Sequence, residues 1–135
     1  MKDNPVAVDT NVLIYLHDST GTIKRNIAVN LLSDNPKIPS QVVSEYLNTI
    51  RRLLPASKED LLIHTANLFT DCIIIPTLPS TLQRAASLVK KYQFQLFDAV
   101  IVAAAIEGGC TTLYSEDMQH GLVIDKTFTI LNPFL

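Results

Sequence analysis

The 135-residue sequence has no tryptophan, two cysteines, three histidines and four glycines. Each shortage closes off a class of function. Cys72 and Cys110 lie 38 positions apart without CxxC spacing, so neither a disulfide framework nor a thiolate zinc site is available. Both are expected as buried thiols. His17, His64 and His120 show no metal-ligand pairing and read as surface or hydrogen-bonded structural residues. The glycines form no GxxxxGK[ST] phosphate loop, and Gly108-Gly109 is best used as a helix terminator. The longest unbroken apolar run, Ala99 to Ile106, has eight residues, against the roughly 20 that a membrane-spanning helix requires. Met1-Lys2-Asp3-Asn4-Pro5 lacks the apolar core of a secretory signal, so a cytoplasmic location and no membrane contact are expected.

Charge is also scarce, at 18% of residues, while 47% are hydrophobic and the mean hydropathy is +0.23. That balance excludes the disordered class and predicts one compact domain over residues 1–135. The net charge of −2 at first disfavours a nucleic-acid partner. Net charge describes the average field, however, and carboxylates gathered in one pocket can hold cations while the rest of the surface is basic.

Short strands alternate with helices along the chain. Pro5 to Val8 reads as a buried strand ending at Asp9, followed by a short helix over Asn11 to Leu16. Ile23, Ile27 and Leu31 give residues 22–34 amphipathic helical spacing, ended by Asp34-Asn35-Pro36. Ser40 is expected to cap a helix carrying Val43, Tyr46, Leu47, Ile50 and Leu54, closed by Pro55. Ser57 to Asp60 and Ser80 to Gln83 resemble capping boxes opening two further helices, with the strand Ile73-Ile74-Ile75 between them. Phe97 to Ile106 is apolar on every side and predicts a central buried helix. Strands are expected at Thr111 to Tyr114 and Thr127 to Leu131. The alternation implies an α/β fold with a parallel sheet covered on both faces.

In such sheets, sites form beyond the carboxyl ends of the strands. Asp9 follows the first strand and Asp117 lies three residues after Tyr114, while Asp98 interrupts the apolar stretch Leu96 to Ile106. Asp9 and Asp98 each have a structural use as acids at helix starts. A buried carboxylate nonetheless needs a partner, and the joint appearance of these acids points to a site.

Val8-Asp9-Thr10-Asn11-Val12-Leu13-Ile14 resembles the opening motif of PIN-domain ribonucleases. Phe97-Asp98-Ala99-Val100-Ile101-Val102-Ala103-Ala104-Ala105 resembles their second acidic motif, and Leu113-Tyr114-Ser115-Glu116-Asp117 the third, in family order across nearly the whole chain. The resemblance implies a three-layer α/β/α sandwich around a mainly parallel four- to five-stranded sheet. It also implies a helix glutamate, matched by Glu45 in Ser44-Glu45-Tyr46-Leu47. Helical periodicity alone places Glu45 off the apolar stripe, as a solvated surface acid. Glu45 and the preference for Asp117 over Glu116 therefore rest on the resemblance, with Glu116 an auxiliary acid. Stand-alone PIN domains of this size are mostly VapC-type toxins of toxin–antitoxin pairs.

The chemistry gives this cluster a purpose. Two like charges about 4 Å apart repel by roughly 4 kcal/mol at an effective dielectric near 20, so converging carboxylates either take up protons or bind cations. Oxygen-only ligands suit Mg²⁺ or Mn²⁺, and such ions support phosphodiester hydrolysis by lowering the pKa of water and stabilising the departing oxygen. Asp9, Glu45, Asp98 and Asp117 are the expected catalytic, metal-holding residues, directly or through water. Thr10 and Ser115 are expected to bond these carboxylates, and Asn11 to orient Asp9. The resemblance implies hydrolysis of RNA to a 5′-phosphate and a 3′-hydroxyl, a homodimer, and a separate antitoxin protein presenting basic or aromatic groups to the acids.

Arg51-Arg52 and Lys90-Lys91 could contact RNA phosphates, with Tyr92 and Phe94 available for stacking. Both pairs also fall near helix C-termini, where cations are favoured in any case. Two other functions fit parts of the pattern: a non-catalytic RNA-binding or interaction module, and a phosphohydrolase with Asp9 as nucleophile. The first sits poorly with acids at all four positions. The second wants an aspartate where Asn11 stands.

Overall fold

A computed structural model describes residues 5–135, so the polar stretch Met1 to Asn4 lies outside the described residues. The chain runs β1 (Val6–Val8), α1 (Thr10–Ile14), a 3₁₀ turn (Tyr15–His17), α2 (Ile23–Ser33), β2 (Ile38–Pro39), α3 (Ser40–Leu53) and α4 (Lys58–Leu68). It continues through β3 (Ile74–Ile75), α5 (Pro79–Tyr92), α6 (Leu96–Glu107), β4 (Thr112–Tyr114), β5 (Val123–Ile124) and β6 (Phe128–Leu131). The main sheet has the order β1-β4-β6-β5, parallel except for the antiparallel β5–β6 pair. β2 and β3 form a second, parallel pair, joined to the main sheet by a parallel bridge between Ala7 and Lys37. The expected mainly parallel α/β sheet is therefore present, as four strands with a bridged pair beside them.

Burial on both faces explains why these strands are apolar. Ala7, Val8, Leu113 and Ile130 are fully buried, and so is the run Ile101 to Ala105 of α6, whose alanines allow close packing. The first turn of α6 departs from the expected all-round burial: Leu96 is 69% and Phe97 55% exposed. That turn carries Asp98 to an open cavity, so it cannot be covered by the sheet. The helix ends at Gly108, and Gly109 follows with φ +80°, the left-handed geometry that glycine accepts without strain.

Several local expectations are corrected. Helix α2 does not turn Ile23 inward; Ile23 is 78% exposed, while Ile27 and Leu31 of the same stripe are half-buried, with Leu31 and Leu32 packed against the core and Ala28 buried. The helix packs against the 3₁₀ turn and α1. Ser57 caps α4 by accepting from the Asp60 N–H at 3.1 Å, but Ser40 is the first helical residue of α3 and bonds Thr77 Oγ1 at 2.9 Å. Helix α5 starts at Pro79 rather than after Ser80, because proline's fixed φ suits a first turn, and Thr81 Oγ1 accepts from the Leu78 N–H at 3.0 Å. β5 has only two residues, too few for a periodic signal. Both thiols are free; Cys110 is buried, whereas Cys72 is half-buried.

Candidate active site

Strand register assembles the first part of the site. β1 and β4 are parallel neighbours with Val8 opposite Tyr114, so the residues leaving each strand, Asp9 and Ser115, emerge side by side. The Asp9 N–H extends the ladder to the Tyr114 carbonyl at 2.9 Å. Asp9 also caps α1: its Oδ1 accepts from the Thr10 N–H at 2.7 Å. Its Oδ2 accepts from Ser115 Oγ at 2.8 Å and from Asn11 Nδ2 at 3.2 Å. Capping α1 therefore leaves Asp9 in the wall of the cavity that the other acids share.

Glu45 arrives from α3. The inward stripe of that helix is Val42, Tyr46 and Ile50, and the adjoining face of Gln41, Glu45 and Thr49 turns toward α1. Glu45 is therefore half-buried, not the surface acid that periodicity suggests. Its carboxylate accepts from Thr10 Oγ1 at 3.1 Å and from Gln41 Nε2 at 3.0 Å. Asp98, in the first turn of α6, is half-buried, and Asp117 is exposed. Neither accepts a hydrogen bond from another described residue.

These four acids surround one cavity of about 720 Å³, whose wall also includes Tyr15, Gln95 and Glu116 and, among the described residues, no basic side chain. Burial, the largest cause, pushes the Asp9 carboxyl up to about 6; the Asp98 and Glu45 charges add to it, and the Ser115 and Thr10 hydrogen bonds oppose it. Burial likewise raises Asp98, reinforced by Glu45 and Asp117. The mutual repulsion is the physical sign that the acids share a field.

Glu116 is held differently. Its Oε1 accepts from Tyr15 Oη at 2.7 Å and its Oε2 from Lys24 Nζ at 2.6 Å, while its N–H donates to Asn11 Oδ1 at 3.0 Å. Burial alone would raise this carboxyl, but Lys24 and Tyr15 together hold it below the usual range. One of its oxygens is paired with a cation, which sets it apart from the other four acids among the described residues.

Arg51, Arg52, Lys90 and Lys91 do not line the cavity. They occupy the last turns of α3 and α5, with Arg51 bonded to Asn48 and Lys91 beside Asp125. Tyr92 and Phe94 are half-buried against the core. Sequence reading missed Tyr15, Lys24 and Gln41. The i, i+4 spacing of Gln41 to Glu45 and of Asn11 to Tyr15 was an available signal; Lys24, in the first turn of α2, carried none.

Oxygen donors of like charge, without His or Cys in the wall, fit a hard divalent cation. Among the described residues no group of three or more His, Cys, Asp or Glu side chains stands close enough to hold a metal ion by itself. The open arrangement suits Mg²⁺, which keeps several waters and needs one or two carboxylates.

Known proteins place this geometry. The chain is similar in structure to a toxin–antitoxin complex from Klebsiella pneumoniae, with 21% identity, 95% of this chain and 97% of that chain covered, and a TM-score of 0.71. It is similar to Mycobacterium tuberculosis VapC20, a sarcin-ricin loop cleaving toxin, with 18% identity, 83% and 89% coverage and a TM-score of 0.65. It is also similar to FitAcB from Neisseria gonorrhoeae, with 18% identity, 96% and 98% coverage and a TM-score of 0.64. No curated protein sequence matches the chain. Residues 6–122 match the PIN domain family, and with that span covering most of the sequence and all four acids, the chain belongs to the PIN domain family.

Proposed function

We propose that this protein is a Mg²⁺- or Mn²⁺-dependent endoribonuclease of the VapC type, one PIN domain over residues 1–135, acting as the toxin of a toxin–antitoxin pair. The observation that carries this reading is the convergence of Asp9, Glu45, Asp98 and Asp117 from four chain segments on one cavity, with no basic wall residue among the described residues. The neighbouring folds support it, since they include a toxin–antitoxin complex and a sarcin-ricin loop cleaving toxin.

Asp9, Glu45, Asp98 and Asp117 would hold the divalent ion, directly or through water. When bound, the ion supplies an acidified water and neutralises charge on the reacting phosphate. The protein supplies orientation. Ser115 and Asn11 fix the Asp9 carboxylate, Thr10 and Gln41 fix Glu45, and Glu116 holds Asn11 through its backbone. Asp98 and Asp117, without donors among the described residues, remain open to the cavity. Products would carry 5′-phosphate and 3′-hydroxyl ends. Arg51, Arg52, Lys90 and Lys91 would meet RNA strands beyond the cleavage point. A homodimer, a cytoplasmic location and a cognate antitoxin complete the reading; among the described residues no helix is long and apolar enough to cross a membrane.

Purified protein incubated with RNA and Mg²⁺ or Mn²⁺ tests the activity. Cleavage is expected, with loss in EDTA and in Asp98→Asn and Glu45→Gln. Cleavage that survives EDTA or both substitutions overturns the mechanism.

A further inference from the structure

Resting on the ribonuclease reading, we propose that Lys24, backed by the rings of Tyr15 and Phe134, is the binding site for an RNA phosphate next to the one being cleaved. An acid-lined cavity repels a polyanion even when a divalent ion offsets part of its charge, so a strand crossing it needs a cation at the rim. Among the described residues, Lys24 is the one cation hydrogen-bonded to cavity-lining side chains. Its ammonium donates to Glu116 Oε2 at 2.6 Å and to Tyr15 Oη at 3.2 Å, which commits two of its three protons.

The setting differs from that of an ordinary surface lysine. Lys24 sits in the first turn of α2, and its side chain reaches the side chains of Tyr15 and Glu116. Nζ stands 5.0 Å from the Tyr15 ring centroid and 5.4 Å from that of Phe134, and these two rings meet edge to face at 5.0 Å. Tyr15 reaches the cavity wall, while the Lys24 side chain remains 44% exposed, leaving its third proton open to solvent. Glu116 then has a defined role as the anchor that keeps a cation at the mouth of an anionic cavity. A phosphate oxygen accepting that third proton would complete the ammonium's hydrogen bonding without breaking the Glu116 pair.

The test measures binding of a fluorescent 12-nucleotide single-stranded RNA to full-length protein in Mg²⁺. Asp98→Asn serves as the non-cleaving parent, to which Lys24→Met or Lys24→Arg is added. Lys24→Met is expected to weaken binding by about fivefold or more and to reduce the slope of log Kd against log salt by about 0.7, one single-strand phosphate contact. Between 50 and 200 mM salt the parent's additional loss of affinity is then about threefold. Lys24→Arg is expected to restore the slope. An unchanged slope in Lys24→Met, with thermal stability or cleavage rate altered in the otherwise wild-type chain, makes Lys24 a structural clamp and overturns the proposal. A parent that binds no RNA overturns the ribonuclease reading itself, which separates the two failures.

Discussion

The Ser115 hydroxyl donates to Asp9 Oδ2 at 2.8 Å, joining residues 106 positions apart. The same oxygen, Ser115 Oγ, accepts from the Met118 N–H at 3.2 Å, so one buried hydroxyl orients the Asp9 carboxylate and ties down the turn carrying Asp117. Ser115→Ala is expected to cost about 1–2 kcal/mol of stability. It is also expected to lower metal affinity or cleavage by about tenfold or more. Chemical denaturation and Mg²⁺ titration of the rate check this; wild-type behaviour in both would remove Ser115 from the site.

Asp9 makes metal-free stability pH-dependent. Its folded pKa of about 6 lies above the ordinary 3.8, so the folded state holds the proton more tightly than the unfolded chain does. The stabilisation is present below the unfolded value and is lost as pH rises through about 6, by up to about 3 kcal/mol. In EDTA, the stability of wild type relative to Asp9→Asn is expected to fall between pH 4 and pH 8. Mg²⁺ at pH 8 is expected to raise the melting temperature of wild type more than that of the variant. A pH-independent difference between the two proteins would contradict this assignment.

A second, partly buried network centres on Tyr46, the neighbour of Glu45 on α3. The Tyr46 hydroxyl lies 2.6 Å from His17 Nε2 and 2.8 Å from His64 Nε2, and its single proton requires one imidazole to accept and the other to donate. Tyr46→Phe leaves both rings without that partner and is expected to cost about 1–3 kcal/mol. Burial, then the neighbouring His64, lowers His17 below its ordinary 6.5, so its contribution is present above that value and is lost as pH falls. Thermal melts of wild type and variant from pH 5 to pH 8 test both effects; a neutral substitution would show that the network adds nothing to stability.

Gly109→Ala isolates a backbone effect. At φ +80° an added Cβ meets nothing closer than Lys37 Nζ at 3.7 Å, so the cost is conformational, about 1 kcal/mol. Urea unfolding should show that loss with cleavage unchanged. A loss of several kcal/mol would mean that packing, rather than backbone geometry, limits this position.

Much of the fold was legible because its strongest signals are local. The apolar strands, the Ser57 cap and the uncharged run in α6 each declare themselves within a dozen residues. Asp9 and Asp98 stood out because acids are costly in apolar company. Glu45 did not, since periodicity separates buried from exposed faces but has no mark for the face that borders a cavity. The Glu116–Lys24 pair spans 92 positions and depends on the peripheral seating of α2, which only tertiary packing determines. The pairing of His17 and His64 was hidden for the same reason, because their meeting point is a tyrosine on a third helix.

Glu45 and Tyr46 are consecutive on α3, yet one serves the cavity and the other anchors the core. Inserting or deleting one residue between Gln41 and Glu45 would turn the preceding part of the helix by about 100° relative to the rest. With Tyr46 clamped by two imidazoles, Glu45 keeps its bearing, and the mismatch would fall on Gln41 and the β2 junction. Natural length variation should therefore be poorly tolerated in α3 and better absorbed by the exposed turn at Ser19 to Gly21. In this protein the reading frame of a single helix is as much a part of the acidic site as the carboxylates themselves.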